Sequence, residues 1–123
     1  MTLVNKVDKK IKVSLDEIIE YQIITYCFFN KLQISNADLK CLAELAKQKE
    51  IELTVFCNNL TDKGIFKSPQ SARNSIAKAS KKNLIIKIGN NKKKISLYTG
   101  INVQTEGTVL LDYKILGIET KAL

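Results

Sequence analysis

The residues from Ser68 to Tyr98, SPQSARNSIAKASKKNLIIKIGNNKKKISLY, leave this chain few folds to choose from. Ser68 is a favoured N-cap residue, and Pro69 after it suits the first helical position, where no N–H is needed and φ is already set. A helix is therefore predicted to start here. Ala72, Ile76 and Ala79 recur at spacings of four and three, giving the helix one narrow, small-residue face to press against a core. Gln70, Arg73, Asn74, Lys78 and Lys81 fall opposite, and all can hydrogen-bond to or neutralise phosphates. Two apolar or β-branched runs, Leu84 to Ile88 and Lys94 to Tyr98, then flank Gly89-Asn90-Asn91-Lys92-Lys93. That pattern predicts a hairpin with lysine at its tip.

Upstream, Leu39, Leu42 and Leu45 predict one short helix, and Leu53, Phe56, Cys57 and Leu60 predict another, with a turn at Asp62-Lys63-Gly64. Ser35, followed three residues later by Asp38, caps the first of these, NADLKCLAELAKQKE. Charged residues from Lys47 to Glu52 predict a corner between the two. Two scaffold helices, a polar-faced helix and a basic-tipped hairpin follow one another across residues 36–98. In that order they resemble the winged helix-turn-helix family, with the Ser68 helix as recognition helix and the hairpin as wing. The resemblance implies an α+β fold in which Gln70, Arg73, Asn74, Lys78 and Lys81 face DNA or another partner while Lys92, Lys93 and Lys94 lie along it.

The flanks add to that core. Ser14 with Glu17 forms a capping box, and Leu15 to Leu32 is predicted to be the longest helix. Its apolar positions, among them Ile18, Ile19, Ile23, Ile24, Cys27, Phe28 and Phe29, nearly encircle the axis, so cover on more than one side is expected. It is either the central core helix or a helix with part of its face against another protein chain, Ile24 and Phe29 being the interface candidates. Ile11-Lys12-Val13 is expected to be a short strand or arm. Thr108 to Ile115, TVLLDYKI, reads as a strand that pairs with the N-terminal segment or the wing, enlarging the sheet, or offers an edge to a neighbour. The expectation is one winged-helix domain over residues 1–123: arm and first helix 1–35, core 36–98, and a C-terminal strand extension 99–123.

Charge selects the class of partner. Twenty basic residues against 12 acidic give a net charge of +8, which favours a polyanion or an acidic protein surface. Arg73 is the sole arginine, so the attraction is mostly lysine to phosphate and carries little of the bidentate reading of guanine. Cys27, Cys41 and Cys57 show no CxxC spacing and fall on apolar helix faces, as reduced core thiols do. The sequence has no histidine, so serines such as Ser71 and Ser75 lack the usual base, and no metal or cofactor site is expected. Asp16, Glu17 and Glu20 are explained by a helix N-terminus. No nucleotide-binding glycine pattern surrounds Gly89, and the expectation is a protein that is not an enzyme. No apolar run approaches a membrane span, and MTLVNKVDKK lacks the apolar stretch of a signal peptide, so neither membrane insertion nor secretion is expected.

The whole-chain pattern, especially TEGTVLLDYKI after a lysine-tipped hairpin, is similar to small virion-associated proteins of crAss-like tailed phages. That resemblance implies an accessory component in multiple copies at the portal vertex, neck or capsid region, bound to portal or capsid proteins and close to packaged DNA. Its location would be the virion or the host cytoplasm. The alternative expectation is a DNA-binding regulator of transcription or replication.

Overall fold

The computed structural model describes residues 3–6, 13–106 and 112–115. Within them run strand β1 (Leu3–Lys6), helices α1 (Leu15–Phe29) and α2 (Asn36–Ala46), and strand β2 (Ile51–Glu52). Helices α3 (Leu53–Asp62) and α4 (Pro69–Lys81) follow, then strands β3 (Ile85–Ile88) and β4 (Lys94–Leu97), a short 3-10 turn at Thr99–Ile101, and β5 (Asp112–Ile115). The fold is α+β: four helices and a three-stranded antiparallel sheet in the order β2-β4-β3, with a separate two-stranded pair, β1-β5.

Local chemistry sets the helix ends. Ser14, Ser35 and Ser68 each accept the backbone N–H three residues on, at 3.2 Å, satisfying a donor that the first turn would otherwise leave open. Ser14 also donates its hydroxyl to the Glu17 carboxylate at 3.1 Å, a side-chain contact in place of the backbone N–H bond that the second half of a capping box would make. Three helices stop by one device, a left-handed residue just past the last turn: Lys31 (φ 56°), Gly64 (φ 75°) and Asn83 (φ 61°). The next residue then donates back across the turn, Leu32 to Cys27, Ile65 to Leu60 and Leu84 to Ala79. This termination ends α1 at Phe29, three residues before the Leu32 expected from the apolar pattern.

The core lies between the inward faces of all four helices and the three-stranded sheet. Ile19 and Ile23 of α1, Leu42 and Leu45 of α2, Phe56 and Leu60 of α3, Ile76 of α4, and Leu84 and Ile95 from the hairpin are buried together. Each such side chain contributes about 1.5–3 kcal/mol through its removal from water. Cys27, Cys41 and Cys57 are buried free thiols in the same core. Burial pushes all three thiols up, Cys41 to about 12, so they stay protonated and unreactive near neutral pH.

Three expectations are corrected. First, the C-terminal strand does not extend the three-stranded sheet. Of the two pairings expected for it, the one with the N-terminal segment is found: β5 pairs with β1, Leu3 opposite Ile115 and Lys6 opposite Asp112, and neither joins β2-β4-β3. The N-terminal strand is thus Leu3–Lys6; Ile11 and Lys12, where a strand was expected, and residues 108–111 of the C-terminal run lie outside the described residues. Second, among the described residues α1 is covered on one side only: Ile19, Ile23 and Cys27 are buried while Tyr21, Ile24, Phe28 and Phe29 are exposed. Third, α2 ends at Ala46, and two residues of the expected charged corner, Ile51 and Glu52, form a strand opposite Ile95 and Lys94.

Candidate nucleic-acid interface

Helix α4 buries Ala72, Ser75, Ile76 and Ala79 and turns Gln70, Asn74, Lys78 and Lys81 to solvent, the division its residue spacing predicts. Gln70 donates its amide to Asn74 one turn later at 3.0 Å, which aligns the two amides along the outer face. Arg73, at the edge of that face, is half-buried and reaches α3, donating to the Thr54 hydroxyl at 3.0 Å.

The hairpin is antiparallel, with Ile86 opposite Ser96 and Ile88 opposite Lys94. Its tip closes through a Lys92 N–H to Gly89 carbonyl bond of 3.2 Å, with positive φ at Gly89 (95°) and Lys92 (55°). Glycine takes that backbone conformation without cost; Lys92 does not. Asn91 accepts the Lys93 N–H through its side chain at 3.3 Å, so the turn is held by its own polar residues and the Lys92 and Lys93 side chains remain in water.

The first turn of α3 joins these two parts. Leu53 donates its N–H to the Lys93 carbonyl at 2.8 Å, and the next residue, Thr54, receives Arg73. One helix turn thus ties the base of the lysine-bearing tip to the outer edge of α4, and the two cationic segments are held at neighbouring residues of a common support.

The charges are not all unopposed. Lys78 is 3.2 Å from the Asp38 carboxylate, and Lys94 is 3.6 Å from that of Glu50. Lys81, Lys92 and Lys93 have no carboxylate partner among the described residues. Lys67 and Lys87 are also exposed and add to the positive surface, though the spacing argument did not single them out. Lys82 is committed to structure, its ammonium donating to the Gln33 carbonyl at 2.6 Å.

Sequence reasoning also missed the polar anchor beneath α4. Asp38, on α2, is buried and accepts from the Ser75 hydroxyl at 2.5 Å. Burial by itself would raise the Asp38 carboxyl. Hydrogen bonds from Ser75, Lys78 and Ser35, together with the Lys78 charge, outweigh burial and hold it below the usual aspartate range. Ser75 was visible only as one serine among several; nothing in its spacing marks a partner 37 residues away.

Ile24 and Phe29, the expected interface residues, stand far from this arrangement in sequence and share the exposed outer side of α1 with Tyr21 and Phe28. Phe28 and Phe29 meet edge to face, with ring centroids 5.7 Å apart. Among the described residues, no helix is long and apolar enough to cross a membrane and no cluster of three or more cysteine or carboxylate side chains could hold a metal ion. No protein-family model matches the chain, and no curated protein or solved structure matches it.

Proposed function

We propose that this chain is a winged-helix module without catalytic function that binds the DNA backbone through α4 and the β3–β4 tip. The observation that carries the reading is the shared support: α4 through Arg73 and the hairpin through Lys93 meet at Leu53 and Thr54, the first turn of α3. Element order supports it as well. Helix α2, short strand β2, helices α3 and α4 and the hairpin β3–β4 come in the order this reading requires, with β4 central in the sheet. In this reading Gln70, Asn74 and Arg73 lie in a groove, and Lys81, Lys92, Lys93 and Lys87 neutralise phosphates beside it.

Lysine-dominated binding depends strongly on salt. With about four phosphates neutralised, the observed association constant should fall with a log-log slope of about −3.6, on the order of a hundred-fold between 50 and 200 mM salt. Fluorescence anisotropy of a labelled duplex across a salt series measures it. A flat response, or no binding at low salt, removes the reading.

A second reading is favoured by a different observation, the exposed apolar side of α1, with Phe28 and Phe29 about three-quarters exposed (76% and 75%). Such a face suits a subunit of a larger assembly. In that case the chain is an accessory component of a phage virion, docked at portal or capsid proteins near packaged DNA. Recovery of portal or capsid proteins with the untagged chain from its native source supports this reading; recovery of genomic fragments alone supports the first.

A further inference from the structure

We infer that the outer side of α1 is a self-pairing surface: two copies of this chain associate through antiparallel α1 helices about a twofold axis near Ile24. The inference is independent of nucleic-acid binding and rests on the order of residues along one stripe of the helix. Glu17, Tyr21, Ile24 and Phe28 follow at spacings of four, three and four, so they share one line on the side away from the buried Ile19, Ile23 and Cys27. This near-3.5-residue repeat is the spacing that a partner helix reads.

The stripe is complementary to its own reverse. Exposed Glu17 stands at its N-terminal end, and exposed Lys31 lies just past its C-terminal end. Neither has an ion-pair partner among the described residues. Reversing the helix against a second copy sets Glu17 near the partner's Lys31 and Tyr21 against its Phe28, with Ile24 meeting Ile24 at the axis. A parallel pairing would instead stack like charges. An unrelated partner has no reason to match this order, whereas an isologous contact requires it.

Two conditions favour association. Tyr21 is 64% exposed, Phe28 76% and Ile24 43%, so a substantial apolar area is available. At roughly 150–250 Å² for a whole aromatic side chain, the stripe with its flanking Phe29 hides on the order of 500 Å² per copy, somewhat below the ~800 Å² of a standard interface. The contact is therefore a concentration-dependent dimer. In addition, α1 carries no basic residue in its last turn, so the negative end of its dipole is free to meet the partner's N-terminal end.

The test is sedimentation equilibrium of the full chain over a concentration series, beside four variants checked by thermal melts. The wild-type chain should move from monomer to dimer mass. Ile24→Glu places two like charges at the axis and should hold the chain monomeric, with a melt that still shows a cooperative transition. Glu17→Lys alone and Lys31→Glu alone should each raise the dimer dissociation constant roughly tenfold, and the two together should restore it. Rescue by the double reversal is specific to antiparallel self-pairing. A chain that stays monomeric throughout, a dimer that Ile24→Glu leaves intact, or a double reversal no better than either single change overturns the inference.

Discussion

Helices α1 and α4 solve the same inward problem and differ in what they turn outward. Each starts at a serine cap, ends at a left-handed residue and buries one stripe: Ile19, Ile23 and Cys27 in α1, Ala72, Ser75, Ile76 and Ala79 in α4. Outside, α1 shows Tyr21, Ile24, Phe28 and Phe29, while α4 shows Gln70, Asn74, Lys78 and Lys81. Inward faces hold the fold, so they resemble each other. Outward faces contribute little to it, so their chemistry is free to specify a partner: apolar surface on one helix, phosphate-compatible surface on the other.

The sharpest test of that division lies on the inward side of α4. Asp38→Ala strips the Ser75 hydroxyl of its buried acceptor and should cost about 2 kcal/mol in a urea titration. The same change releases Lys78 from its carboxylate partner, so DNA affinity should hold or rise slightly while stability falls. Loss of both together would mean that α4's two faces are not separable. The pH dependence has a definite sign. The Asp38 carboxyl is held low in the folded state, so its contribution is complete above the ordinary aspartate range near pH 4 and is lost as the pH falls through the lowered value. The Asp38→Ala variant should therefore show a shallower loss of stability on acidification.

A smaller effect is expected from the outward tip of the hairpin. Lys92→Ala with Lys93→Ala should weaken binding roughly tenfold on all duplexes alike and reduce the salt slope by about 2, with the melting temperature unchanged. Anisotropy titrations on two unrelated duplexes measure it; a loss confined to one sequence would assign base reading to these lysines and contradict their role as phosphate contacts.

The smallest effect is predicted for the outer side of α1. Phe28→Ser should change the unfolding free energy of the dilute chain by less than about 0.5 kcal/mol, because the ring is already in water. Denaturation at low protein concentration measures it. A cost above about 2 kcal/mol would mean that this side is covered within the molecule, and the contrast between the two helices would disappear.

How much of this was legible beforehand depends on the range of the interaction. Ser14, Ser35 and Ser68 cap the helices they were expected to cap, since the groups involved lie within three residues. Ala72, Ile76 and Ala79 are buried and the lysine-tipped hairpin is paired, because periods of 3.6 and 2 residues are written locally. Among the expected site residues, Gln70, Asn74, Lys81, Lys92 and Lys93 are exposed, Arg73 is drawn onto Thr54, and Lys78 and Lys94 are partly offset by carboxylates. The two-residue strand β2 is too short to show a period, and only its pairing with β4 makes it a strand.

Alone, the order of residues determined where helices begin, which faces carry lysine and which carry small apolar groups, since each depends on neighbours along the chain. Tertiary structure alone decided that β5 joins β1 instead of the central sheet, that Asp38 anchors Ser75, and that the outer side of α1 is left uncovered by the described residues. Those outcomes depend on which distant groups the packed fold brings together. An apolar helix reads the same in sequence whether one side of it or two is buried.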